Sequence, residues 1–225
     1  MAIPSPVRCV LFDAVGTLIF ADPPVSAVYS EAANRFGLTL DEATVEQRFT
    51  EAFSKYNVNM QDGGEATSEA NERDRWRSIV AEVFPELGQC EELYTRLWEH
   101  FSLPASWRLY HDVADCWRRW SDRRVMLGIA SNFDERLRGI CRGLPPLDCE
   151  HVFMSSRLGW RKPAAQFFHA IEDTVALRPD ELLLVGDDWA SDCLGATVAG
   201  WQTVYLDRAG HSERPFAIRS LAELL

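Results

Sequence analysis

The chain has 225 residues, with 23 Lys and Arg against 34 Asp and Glu, giving a formal net charge of −11. Apolar residues at 47% and charged residues at 25% are ordinary globular values, which exclude wholesale disorder and fit a single domain or a ~150-residue domain carrying an insert. The acidic balance repels nucleic-acid phosphates and anionic lipid, so neither a nucleic acid nor a membrane is expected as a partner.

Val7–Phe12 is a short apolar run closed by Asp13, and it reads as a buried strand. The period then changes. Val25, Val28, Tyr29, Ala32, Ala33 and Phe36 follow helical spacing, with Gly37 as the C-cap. Thr39 and Glu42 have the form of a capping box opening a second helix that carries Val45, Phe49, Ala52, Phe53 and Tyr56. Asp62-Gly63-Gly64 breaks the chain and reads as a linker, with a crevice-facing loop as the alternative. A third helix carries Trp76, Ile79, Val80, Val83 and Phe84 and is stopped by Pro85. A fourth carries Leu93, Tyr94, Leu97, Trp98 and Phe101, aromatic residues that read as bundle core. Four amphipathic helices with no strand between them predict a small helical bundle.

After Pro104 strands return. A helix near 110–122 leads to the strand 125–130. Then follow a helix over 134–142, a strand over 151–154 and a helix over 163–177 with Pro163 in its first turn. A strand over 182–185, a helix over 192–199 and a strand over 202–206 complete the pattern. Short apolar strands alternating with helices predict a parallel sheet covered on both faces. The expected fold is α/β: a Rossmann-like, doubly wound parallel sheet with an inserted helical-bundle cap. Residues 1–20 and 105–225 form the core and 21–104 the cap.

No apolar run reaches the ~20 residues that span a bilayer. The N-terminal stretch has an Asp inside its apolar segment and no A-x-A site, which makes it a poor signal peptide. The six cysteines show no C-x-x-C pair and are expected to be reduced, partly buried thiols of a cytoplasmic protein. None of the five His has metal-ligand spacing.

Three strands end in polar residues: Asp13, Ser131-Asn132, and Gly186-Asp187-Asp188. In an open parallel sheet the carboxyl ends of the strands share one edge, and ligands bind in the crevice there. Lys162 stands close enough in sequence to the third strand to reach the same edge, and Trp160 to border it. Carboxylates, a hydroxyl, an ammonium and helix N-termini together suit a phosphate and a hard cation.

The segments FDAVGTL (12–18), ASN (130–132), Lys162-Pro163 and VGDDWASD (185–192) resemble, in order, the four motifs of the haloacid dehalogenase-like hydrolase superfamily. The helical insert resembles the cap of its subclass I members. The resemblance implies a Rossmann-like core and Mg²⁺-dependent hydrolysis of a small phosphorylated metabolite through an aspartyl-phosphate. It implies that Asp13 is the nucleophile, that Ser131, with Asn132, binds the phosphoryl group, and that Lys162 offsets negative charge. It further implies that Asp13, the Val15 carbonyl and Asp187 hold the Mg²⁺. Asp192 resembles the second acid of the fourth motif, with helix capping as its alternative; Asp188 is left open.

One position departs from the pattern. Phosphatases of the superfamily usually read Asp-x-Asp-x-Thr, the second Asp being the general acid. Here Val15 takes that place, and valine cannot transfer a proton. General acid catalysis is typically worth ~10²–10⁴-fold. Two-haloacid dehalogenases of the superfamily also lack this Asp. They attack carbon without a metal, but they do not keep an acid like Asp187. A binding protein that has lost turnover is the third alternative.

Overall fold

The computed structural model describes residues 7–58, 66–214 and 217–224. The proposed loop at Asp62-Gly63-Gly64 lies outside the described residues. A five-stranded parallel sheet forms the centre, in the order β5-β4-β1-β6-β7, from Cys9–Phe12 (β1), Met126–Ser131 (β4), His151–Met154 (β5), Leu182–Gly186 (β6) and Gln202–Tyr205 (β7). Two three-residue strands that the sequence pattern does not reveal, Ile19–Ala21 (β2) and Trp107–Leu109 (β3), pair antiparallel as a ribbon. The chain leaves along β2 and returns along β3. Between them lie the four expected helices, Val25–Asn34 (α1), Glu42–Val58 (α2), Glu69–Val83 (α3) and Glu91–His100 (α4).

Each central strand divides its side chains between two cores, as the two-residue period of a strand requires. Val10 and Phe12 of β1, with Leu183 and Val185 of β6, meet the helices Val113–Asp122 (α5) and Arg136–Arg142 (α6). Cys9, Leu11, Leu182 and Leu184 meet the helix Ala165–Val175 on the other face. Both faces are buried, which explains the nearly continuous apolar runs. The four inserted helices close a third core around Tyr29, Ile79, Val83, Phe84 and Leu97.

Local details differ from the sequence reading. The second inserted helix is capped by Asp41, whose carboxylate accepts from the Thr44 N–H at 2.9 Å and the Thr44 hydroxyl at 2.8 Å; Thr39 takes no part. Asp41 lies one residue before the helix, where a side-chain oxygen reaches the unpaired N–H groups. Pro163 stands outside its helix, which begins at Ala165. The helix expected from 192 begins earlier, as a π-helical turn over Trp189–Leu194 that passes into Gly195–Val198. All six cysteines are unpaired. Burial pushes the thiols of Cys9, Cys116, Cys141 and Cys193 up to about 12. No described helix is long and apolar enough to cross a membrane.

Candidate active site

The register places Phe12 of β1 beside Ile129 of β4 and Val185 of β6. Asp13, Ser131 and Asp187 therefore emerge side by side at the carboxyl edge of the three central strands, where the strand order reverses. Asp13 fixes its backbone by donating its N–H to the Val185 carbonyl at 2.9 Å.

Lys162 is the centre of the charge network. Its ammonium, buried beneath the edge, donates to Asp13 Oδ1 at 2.8 Å, Asp192 Oδ1 at 2.5 Å and the Ala130 carbonyl at 2.7 Å. An ammonium has three protons, so all are in use. Lys162 thus acts on Asp13 and Asp192 and has no donor to spare for a ligand. Burial opposes its charge, but Asp13 and Asp192 outweigh that and hold it above the ordinary lysine range.

Asn132 turns its amide onto the backbone of Lys162, accepting from the N–H at 2.7 Å and donating to the carbonyl at 2.9 Å. The two bonds fix the lysine loop against the end of β4, a positioning role different from the expected contact with phosphate. Ser131 is buried, and its hydroxyl helps hold the Asp13 carboxyl down against the effect of burial.

Asp187 accepts from the buried Thr17 hydroxyl at 2.8 Å. Gly16, at φ +92°, passes so near that a Cβ there would lie 2.2 Å from Asp187 Oδ2. Gly186 is in the same position relative to Asp192, with 2.1 Å to its Oδ2. These glycines let the carboxylates approach the loops. Asp192 also accepts from the Asp188 N–H at 3.0 Å, whereas Asp188 is exposed and caps the π-helical turn through the N–H groups of Ala190 and Ser191.

Asp13, Asp187 and Asp192 each bring an oxygen within 4.8 Å of the others. Burial pushes Asp187 up to about 6, opposed by the Thr17 hydroxyl and reinforced by Asp192. Burial likewise pushes Asp192 up to about 6, against Lys162 and with Asp13. Asp13 is raised by burial, opposed by Lys162 and reinforced by Asp187. Three carboxylates gathered around one ammonium are short of positive charge. Their donor set is all oxygen, the chemistry a hard divalent cation takes. Val15, two residues after Asp13, lines the same cavity as Asp13, Asp187 and Asp192. The residues present fit Mg²⁺.

Beneath the loop lies a support that the sequence pattern does not reveal. Arg208 donates to the carbonyls of Gly16 at 3.2 Å and Thr17 at 2.7 Å, and forms a two-pronged pair with Asp112 at 3.0 Å on each prong. Asp112 also accepts from the Ser220 hydroxyl and the Leu221 N–H. One arginine thus ties the loop after Asp13 to the C-terminal segment.

The insert roofs this edge. Glu72 of α3, buried, accepts from Arg161 of the core and from Thr67. Glu69 accepts from the Glu135 N–H and the Ser156 hydroxyl. Trp160, expected near the site, instead joins the core beneath and pairs its backbone with Ala66. Between roof and edge lies a cavity of about 610 Å³, with Asp13, Lys162 and Asp187 at its floor. Tyr94, Trp98 and Phe101 pack with the bundle, as expected, and also wall this cavity.

The family model of the haloacid dehalogenase-like hydrolases matches residues 7–200. The chain belongs to this family. As a haloacid dehalogenase-like hydrolase it is an enzyme. An uncharacterized hydrolase of Schizosaccharomyces pombe is 31% identical over 212 residues, covering 89% of this chain and 91% of that protein. Among solved structures, the magnesium-bound HAD-hydrolase YfnB of Bacillus subtilis aligns over 97% of this chain and 96% of its own, at a TM-score of 0.78 and 18% identity. The L-2-haloacid dehalogenase of Xanthobacter autotrophicus, with chloropropionic acid covalently bound, aligns over 97% of both chains at a TM-score of 0.72 and 17% identity. At such identities the two solved structures show a shared fold, and the choice of chemistry rests on the site.

Proposed function

We propose that the protein is a Mg²⁺-dependent hydrolase of small phosphorylated molecules that works through a phosphoryl group on Asp13. The observation that carries this reading is the cluster of Asp13, Asp187 and Asp192 around Lys162. A cation bound there would offset the charge of the carboxylates and of the phosphoryl oxygens. An Asp13 oxygen attacks phosphorus, the bond from phosphorus to the leaving oxygen breaks, and that oxygen departs with the electron pair. Lys162 holds Asp13 in place and opposes the burial that would protonate it. Ser131, beside Asp13, is positioned to donate to a phosphoryl oxygen. Water then attacks phosphorus, breaks its bond to Asp13 and releases inorganic phosphate.

Val15 favours a second reading, because a side chain that cannot donate a proton also suits attack of Asp13 on a halogen-bearing carbon, where halide leaves unprotonated. That reaction needs no cation and would leave the charge of Asp187, whose hydrogen-bond partner is the neutral Thr17 hydroxyl, with no cation of its own, a costly arrangement. Phosphoryl chemistry is therefore the better fit. The test is an aryl phosphate with Mg²⁺ beside 2-chloropropionate with chelator. Turnover of the first alone, lost in Asp13→Asn, is expected. Turnover of the second alone would establish the dehalogenase reading, and turnover of neither a binding role.

A further inference from the structure

The cavity above Asp13 does not resemble a site for a polyhydroxylated metabolite. The insert lines it with Tyr29, Phe49, Phe53, Trp76, Tyr94 and Trp98, among other apolar residues. Among the described residues, Arg75 is the only charged side chain the four inserted helices contribute. Its guanidinium lies over the rings of Phe53 at 5.1 Å and Trp76 at 5.5 Å. The core side continues the pattern: Arg136 lies over Trp98 at 3.6 Å, held flat by a two-pronged pair with Asp134 at 2.7 Å. No Asp, Glu, Asn, Gln, Ser or Thr of the described insert reaches the wall, so sugar hydroxyls would lose water there and gain few partners. The volume of about 610 Å³ lies within the ~300–1,000 Å³ that accommodates a drug-sized ligand, far more than a phosphate on the floor requires.

Val15 points independently to the same class. It is 40% exposed and lines the floor, where it offers no proton to a leaving oxygen. An alcohol leaves poorly as its anion, since water itself has a pKa of ~15.7. A phenol, with a pKa near ~10, leaves without that help.

We propose that this cavity is a subsite for an aromatic body, so that the substrate is a bulky aryl phosphate. The assignment rests on the phosphatase reading and narrows it. Asp13 displaces the aryl oxide from phosphorus, the phosphorus–oxygen bond breaks, and the aryl oxide takes a proton from water to leave as a phenol. Water then cleaves the phosphoryl-Asp13 bond, so that ester and water yield phenol and phosphate.

The experiment separates the subsite from the chemistry. The unmodified protein, with Mg²⁺, is titrated by calorimetry with methyl-, phenyl- and 2-naphthylphosphonate, which cannot be hydrolysed to phosphate and an alcohol. In parallel, hydrolysis of 2-naphthyl phosphate is followed by naphthol release. Affinity should rise at least about tenfold from the methyl to the naphthyl ligand, as burial of ring surface requires. Phe53→Ala and Trp98→Leu should each flatten that rise. Equal affinities for the three phosphonates would overturn the subsite even if 2-naphthyl phosphate is hydrolysed, and would leave the phosphatase reading standing. A rise in affinity that survives intact in both variants would place the aryl group elsewhere and overturn the subsite as well. If the variants do not fold, the phosphonate series on the unmodified protein decides. Graded affinities with no hydrolysis of any ester would support the subsite and overturn the phosphatase reading.

Discussion

Asp187→Asn should make the metal-free protein more stable while removing its response to Mg²⁺. Asparagine keeps the shape of the side chain and can still accept from the Thr17 hydroxyl, which lies 2.8 Å from Asp187 Oδ1. What disappears is a half-buried negative charge beside Asp13 and Asp192. Burial lifts the Asp187 carboxyl from 3.8 to about 6, a gap that corresponds to about 2–3 kcal/mol at ~1.4 kcal/mol per pH unit. Because the folded state binds this proton more tightly than the unfolded chain, the cost is absent below about 3.8, grows as pH rises toward about 6 and is complete above it. In a chain of this size 1 kcal/mol moves Tm by about 2–4 °C, so the variant should melt roughly 5–10 °C above the unmodified protein at pH 8 in chelator. The two should converge as pH falls toward 4. Scanning calorimetry with and without Mg²⁺ makes the measurement. Mg²⁺ should raise the Tm of the unmodified protein by mass action and leave the variant almost unmoved. A variant less stable than the parent in chelator at pH 8, or an equal Mg²⁺ response in both proteins, would refute the reasoning.

With Val15 in place, the logarithm of the turnover rate should fall steeply as leaving-group pKa rises, and Val15→Asp should lift alkyl phosphate turnover by up to ~10²-fold; a flat plot for the unmodified protein would show that another residue supplies the proton. Gly16→Ala, which sets a Cβ 2.2 Å from Asp187 Oδ2 at a backbone angle that disfavours side chains, should abolish Mg²⁺-dependent activity, and steady-state assays at saturating Mg²⁺ would show whether any remains. Asp112→Asn should cost about 2 kcal/mol at pH 7, the worth of hydrogen bonds to a charged group. Burial raises the Asp112 carboxyl, but Arg208, Ser220 and the Leu221 N–H outweigh it and hold it below the ordinary range. Its contribution is therefore present above the unfolded value and lost as pH falls through the folded one, and urea melts of parent and variant should converge in acid.

The parts of this enzyme that can be read from sequence are those in which one residue type has one structural use. Buried parallel strands must be apolar throughout, so β1, β4 and β6 and their polar ends are legible, and with them Asp13, Ser131 and Asp187. The inserted helices are legible because their apolar faces repeat at helical spacing. A repeat shows that a face is apolar without showing what it meets, and so Trp98 and Phe101 read as core although they also wall a cavity. Arg208 and Asp112 are 96 residues apart and carry no local signal; only the fold brings them together. Asn132 is legible as a polar residue at the end of β4, but its amide bonds the Lys162 backbone, a direction no spacing encodes. The ribbon of β2 and β3 is too short for alternation to register. Asp41 rather than Thr39 caps its helix because both are competent caps, and the backbone geometry of the turn decides between them.

The central claim is that phosphorus passes through Asp13. The most direct measurement is peptide mass spectrometry after an acid quench of the protein turning over an aryl phosphate with Mg²⁺. The mechanism predicts a phosphoryl group on the peptide that contains Asp13. That group should be removed by hydroxylamine, and it should be missing from Asp13→Asn and from chelator-treated samples. Turnover that continues in Asp13→Asn, or a phosphoryl group found on another residue, would contradict it.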